Sequence, residues 1–203
     1  MTAGGESPTL DAAAFEALYL RLRQVPAWGP ADRRGALNHL TGRGILLDIP
    51  RLRGVPWLEP GDVVTAAELT GAAEAQHVRV GPGDLLFVRT GHRRRRTELG
   101  PWDAAKERAG LDPSALELIA ERKVAVLGSD SNSDTAPSVA EGVELPVHVL
   151  AINALGLHLL DYLQFEDLLP LCEAAGRWSF FCVVAPLRLP HGTGSLVNPI
   201  AVV

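Results

Sequence analysis

Short, mostly apolar runs that alternate with helix-patterned segments constrain this chain most strongly. The runs fall at residues 45–49, 85–89, 124–127 and 179–184, and each is bounded by turn residues or by proline. An uninterrupted apolar run of this length reads as a strand buried on both faces, as in a parallel sheet. Between the runs the pattern becomes helical. Residues 10–25 carry Phe15, Leu18, Leu20 and Leu22, and Asp11 can cap the start. Thr65-Ala66-Ala67-Glu68 is a capping box that opens a helix to about residue 76. Asp112-Pro113 starts another, to about residue 122. Residues 145–155 read as partly helical, 157–160 as a short apolar piece and 165–175 as a helix. Strands alternating with helices predict an α/β fold.

The 203 residues fit one domain over 10–203 behind a disordered tail over 1–9. A net charge of −5 offers no field to attract nucleic acid or anionic lipid. The basic run Arg93–Arg96 has no interleaved aromatics for base stacking, and reads as a solvated loop. No apolar stretch approaches the ~20 residues of a spanning helix, and the first residues lack a signal-peptide pattern. Two cysteines, Cys172 and Cys182, are too few for a secreted scaffold. Reduced thiols in a cytoplasmic protein are expected, with no membrane and no nucleic-acid partner.

Candidate chemistry concentrates after the third run, in Gly128-Ser129-Asp130-Ser131-Asn132-Ser133-Asp134. Ligands bind beyond the carboxyl ends of strands in open α/β sheets, so Asp130 and Asp134 are candidate site residues. The alternative is a capped turn. His148, among apolar neighbours, reads either as a core residue or, with a carboxylate such as Asp161, as half of a divalent-metal pair. The Gly-rich stretch around His191 and Ser195 is not a P-loop, because no Gly-Lys-Ser/Thr follows. His39 and His158 read as structural. No nucleophile elbow, Cys-x-x-Cys or His-Glu-x-x-His is present.

Several short segments form an ordered series along the chain. The series begins with Trp28-Gly29-Pro30-Ala31-Asp32, Gly35-Ala36-Leu37-Asn38 and Arg43-Gly44-Ile45-Leu46-Leu47-Asp48. It continues with Pro82-Gly83-Asp84-Leu85-Leu86-Phe87-Val88-Arg89-Thr90-Gly91 and Leu127-Gly128-Ser129-Asp130. Pro146-Val147-His148, Gly156-Leu157-His158-Leu159-Leu160-Asp161 and Gly194-Ser195-Leu196-Val197-Asn198-Pro199-Ile200 complete it. In this order the segments resemble the cyclase family of kynurenine-formamidase-like metal hydrolases, which includes isatin hydrolases and some polyketide cyclases.

The resemblance implies a swivelling β/β/α fold, a homo-oligomer, and hydrolysis of amide or lactam C–N bonds around zinc or manganese. It connects the chain with arylformamidase chemistry and tryptophan catabolism. The substrate would be an amide, a lactam or an aromatic polyketide-like molecule. By position, His148 and Asp161 would ligate the metal, and Asp161 stands where the family has Glu. Asp130, His148 and His191 are the catalytic candidates, and Asn38, Asp134 and Ser195 would face substrate.

The family's main metal motif, His-x-Gly-Thr-His-x-Asp-x-Pro-x-His, is absent. Asn38-His39-Leu40-Thr41 runs into Gly42-Arg43-Gly44-Ile45 where a long segment carrying that motif is expected. The chain therefore reads as a shortened version of the fold, cut near residues 41–43. Such a loss should remove strands and impair activity, since a catalytic ion needs about three protein ligands. Two alternatives remain open. One is a metal-free cyclase or dehydratase using Asp130, Asp134, His148 or His191. The other is a non-catalytic partner of a full-length relative.

Overall fold

The computed structural model describes residues 10–25, 29 and 31–203. The expected tail over 1–9, and Trp28 and Pro30 of the signature, lie outside the described residues. In chain order the helices are α1 (Ala12–Arg23), α2 (Ile49–Arg53), α3 (Ala66–Ala75), α4 (His92–Leu99), α5 (Ala115–Glu121), α6 (Pro146–His148) and α7 (Leu169–Ala175). The strands are β1 (Arg43–Asp48), β2 (Val63–Val64), β3 (Leu85–Arg89), β4 (Gly110–Leu111), β5 (Val126–Ser129), β6 (His158–Leu160), β7 (Ser179–Val183) and β8 (Ile200–Val202).

The main sheet has the order β6-β5-β3-β1-β7-β8. β6, β5, β3 and β1 run parallel, whereas β7 is antiparallel to β1 and β8 antiparallel to β7. β2 and β4 form a separate two-stranded parallel pair. The fold is thus α/β with a mostly parallel central sheet.

Apolar runs become the inner strands because both faces of the sheet are covered. Ile45, Leu47, Leu86, Val88 and Leu127 point towards a core shared with Phe15, Leu18, Leu69 and Ile119 of the helices. Leu46, Phe87, Val126 and Phe180 face the other way, onto Leu163, Phe165, Cys172 and Trp178. There Phe87 stacks on Phe180 with ring centroids 5.9 Å apart. Gly44 makes that stack possible, since a Cβ at this position would lie 2.4 Å from the Phe180 ring. Both cysteines are free and buried.

The junction near residues 41–43 is bound into the sheet. Thr41 N donates to Gly83 O at 2.9 Å, and Cys182 N donates to Gly42 O at 2.9 Å. The Arg43 guanidinium makes two hydrogen bonds to Asp84, at 2.8 and 2.7 Å. Gly83 takes φ +84, and a Cβ there would strike His39 O at 2.0 Å. Only glycine permits that crossing.

The expected elements are largely present, with shifted ends. The Asp11 cap forms, with Ala14 N donating to Asp11 Oδ1 at 2.7 Å. The strand expected at 124–127 lies two residues later, and the helix expected from 165 begins at Leu169. The stretch 145–155 is one short α turn followed by a π-helical turn, Val149–Ala154.

Arg93–Arg96 is a correction. The run is solvated but lies within α4 rather than a loop. Arginine is a good helix former, and Arg94 pairs with Glu98 one turn on at 2.7 Å. α2 and β8 were not expected from pattern, because five and three residues are too short to show a period.

Among the described residues, no helix is long and apolar enough to cross a membrane.

The Thr65 capping box is complete, with Thr65 N donating to Glu68 Oε2 at 2.9 Å and Glu68 N to Thr65 Oγ1 at 3.3 Å. Thr65→Ala should lower the unfolding free energy by about 1 kcal/mol in urea titration. An unchanged midpoint would show that the cap is silent.

Candidate functional site

At the carboxyl ends of β3, β5 and β6 the strands give way to polar segments. These are Thr90-Gly91, residues 129–134 and Asp161-Tyr162. The ends of three strands are held together here by carboxylates.

Asp130 is fully buried. Its Oδ1 accepts from Thr90 N at 2.7 Å and Thr90 Oγ1 at 2.9 Å, and its Oδ2 accepts from Gly91 N at 2.9 Å. Burial pushes its pKa up, while the hydrogen bonds from Thr90 oppose that rise. The residue braces β5 against β3, and its oxygens are turned into the protein.

Asp134 is also fully buried. Its Oδ1 accepts from Val147 N at 2.5 Å, at the start of α6, and its Oδ2 lies 2.5 Å from His148 Nδ1. The opposite ring nitrogen, Nε2, lies 3.1 Å from Asp161 Oδ2. Asp161 is fixed in turn by Ser133, whose N and Oγ donate to Oδ1 at 3.0 and 2.8 Å. Asn132 Nδ2 donates to Asp161 Oδ2 at 3.2 Å. The hydrogen bond to Asp134, then that to Asp161, raises the His148 pKa to about 9. At neutral pH the ring is an imidazolium donating from both nitrogens.

This donor set does not fit a catalytic ion. A metal needs a neutral imidazole with a free lone pair, and about three protein ligands with one open position. His148 has a carboxylate at each nitrogen, and the Asn132 amide directs a donor at the same Asp161 oxygen that a cation would need. Among the described residues no group of three His, Cys, Asp or Glu is arranged to hold a metal.

The structure thus brings together Asp134, His148 and Asp161, with Asp130 behind them on the same loop. It does not bring the remaining candidates to them. Asn38 is exposed and donates to Asp32 Oδ2 at 2.7 Å. Ser195 Oγ accepts from Leu187 N at 3.1 Å and donates to Leu196 O at 3.2 Å. His191 sits in an exposed turn with φ 59. Ser195 lines a cavity with Leu85 and Val126, the first residues of β3 and β5, at the opposite ends of the strands.

Residues that composition and spacing did not single out stand at the same crest. Arg89, 3% exposed, bonds Asp48 Oδ1 at 2.9 Å and Glu166 Oε1 at 2.9 Å. A charged residue closing an apolar strand was the only sequence signal for it. His92 is buried and packs on Trp102 at 4.7 Å and Tyr162 at 5.8 Å. Burial first, and then the charges of Arg93, Arg96, Arg95 and Arg108, push its pKa down to about 4.

The fold and this crest define an α/β protein with a polar cluster at the carboxyl ends of a parallel sheet. The Cyclase family model matches residues 25–134. Isatin hydrolase of Roseibium aggregatum is 31% identical over 150 residues, which are 70% of this chain and 53% of that protein. The chain belongs to the Cyclase family, and it spans about half the length of that curated relative. A crystal structure described as a novel cyclase superposes with a TM-score of 0.69 at 31% identity, over 83% of this chain and 56% of that one. A "predicted metal-dependent hydrolase" from Bacillus stearothermophilus, at 19% identity, shares the fold with a TM-score of 0.56, over 86% and 70% of the two chains.

The ordinary histidine pKa of 6.5 is raised to about 9 in the folded chain at His148. Its proton-linked contribution to stability is complete below pH 6.5 and is lost as pH rises through 9. The gap in unfolding free energy between the wild type and His148→Gln should therefore shrink from pH 6.5 to 9. A gap independent of pH would contradict the clamp. Arg89→Met would leave Asp48 buried without its partner, and should cost about 3 kcal/mol or more in denaturant titration.

Proposed function

We propose that this chain is a shortened cyclase-family protein in which the amide- or lactam-hydrolysing chemistry of its kynurenine-formamidase-like relatives is impaired. One observation carries the reading: His148 is committed at both ring nitrogens, to Asp134 and to Asp161. The absence of any His-x-x-x-His-x-Asp in the sequence supports it independently. A zinc or manganese ion would polarise the substrate carbonyl and lower the pKa of bound water. Here the residues nearest that task hold a proton instead. A small amide, lactam or polyketide-like molecule remains the substrate class proposed by resemblance, and a homo-oligomer the proposed assembly.

A second reading, metal-free acid catalysis, is favoured by the same imidazolium. A group protonated at neutral pH and lying between two carboxylates is a proton donor. Asp130 contributes nothing to this reading, because its oxygens already serve Thr90 and Gly91.

The test is metal content after incubation with zinc or manganese, together with hydrolysis of isatin and N-formylkynurenine. The expected result is substoichiometric metal and turnover indistinguishable from buffer. One tightly held ion per chain with rapid turnover would overturn the proposal. Slow turnover that survives chelation and is abolished by His148→Gln would favour the second reading.

A further inference from the structure

A cavity of about 380 Å³ opens beside the amino ends of β3 and β5, on the sheet face that also carries α7. Its floor is Leu85, Val126 and Leu160, with Cys182 from β7, and its roof is the loop over residues 186–197. Asp134, His148 and Asp161 do not line it, although Leu160, which does, is the last residue of β6 and directly precedes Asp161. It is therefore separate from the crest described above, and it stands whether or not the chain hydrolyses an amide.

Its chemistry is one-sided. Leu40, Leu187 and Leu189 line it while remaining 49%, 60% and 53% exposed. Three leucines left in water around one concavity gain by being covered, and a ligand can do that where the chain does not. None of the lining residues is Lys, Arg, Asp or Glu. A charged guest would have to shed its water without finding an opposite charge. The polar groups are few. The ring of His158 and the hydroxyl of Thr193 have no hydrogen-bond partner among the described residues, whereas Ser195 Oγ is already engaged. A volume of this size suits a small ligand, and a mostly apolar wall with a few convergent polar groups is the usual form of such a site.

We propose that this cavity is a binding site for a small, uncharged, compact apolar molecule. Its hydrocarbon or aromatic body lies between the sheet and the 186–197 loop, and its single hydrogen-bonding group faces His158 and Thr193. The concave shape favours a small molecule over a second protein surface, which would meet a roofed hollow rather than a flat face.

The experiment uses the full chain with indole as a neutral probe and benzoate as an anion of similar size, followed by amide NMR and calorimetry. Indole should produce saturable shifts over residues 158–160 and 186–197, with intermolecular NOEs to the Leu187 and Leu189 methyls. Benzoate should bind about tenfold more weakly or worse. Val197→Trp fills the cavity from the half-buried loop, and should weaken indole about tenfold with an unchanged unfolding midpoint. If that variant is destabilised, Leu160→Trp fills the same space from the strand, and the NOEs need no variant. No saturable shift with indole would overturn the proposal, as would undiminished binding to the filled variants. A dimer dissociated by Val197→Trp, with no indole binding, would assign the hollow to a second copy and overturn it too.

Discussion

A parallel sheet ends in a row of backbone groups that have run out of strand partners, and the structure depends on how that row is satisfied. Asp130 supplies most of the answer. One buried carboxylate takes three hydrogen bonds from Thr90 and Gly91, so the ends of β5 and β3 cannot separate without stranding a desolvated charge. Asp134 repeats the device towards α6, and Asp161 repeats it towards the loop that follows β5. The crest is rigid because carboxylates, rather than side-chain packing, hold its backbone.

That rigidity explains what the crest can and cannot do. The Asp130 and Asp134 carboxylates are fully buried, and the partly exposed Asp161 carboxylate is already engaged by Ser133, Asn132 and His148. His148 inherits the consequence. It meets Asp134 on one side and Asp161 on the other, so its proton is retained and its lone pairs are unavailable. Thr41, Gly42 and Arg43 tie the start of β1 to the start of β3 and to β7.

The buried runs of β1 and β3 were legible because a strand covered on both faces has no polar alternation to confuse it, whereas β7, also expected to be buried, leaves Phe181 and Val183 exposed. The caps at Asp11 and Thr65 were legible because their hydrogen bonds close within one turn. Arg93–Arg96 misled because a polar run has no periodicity, although Glu98 stood one turn from Arg94. β8 could not be read at all. Its three residues gain their conformation from pairing with β7, a partner that local sequence does not name.

The sequence by itself determined the α/β class, the inner strands and the polar loop after β5, since each rests on contacts between near neighbours or on burial. It also placed the chain by an ordered series of short motifs. Only the tertiary structure decided which polar residues meet. Asp134, His148 and Asp161 converge because β5, α6 and β6 end at the same edge. Asn38 and Ser195 were equally plausible by resemblance, yet they belong to the opposite end of the strands. Strand direction and order set those distances, and both are fixed by long-range packing that no local pattern encodes.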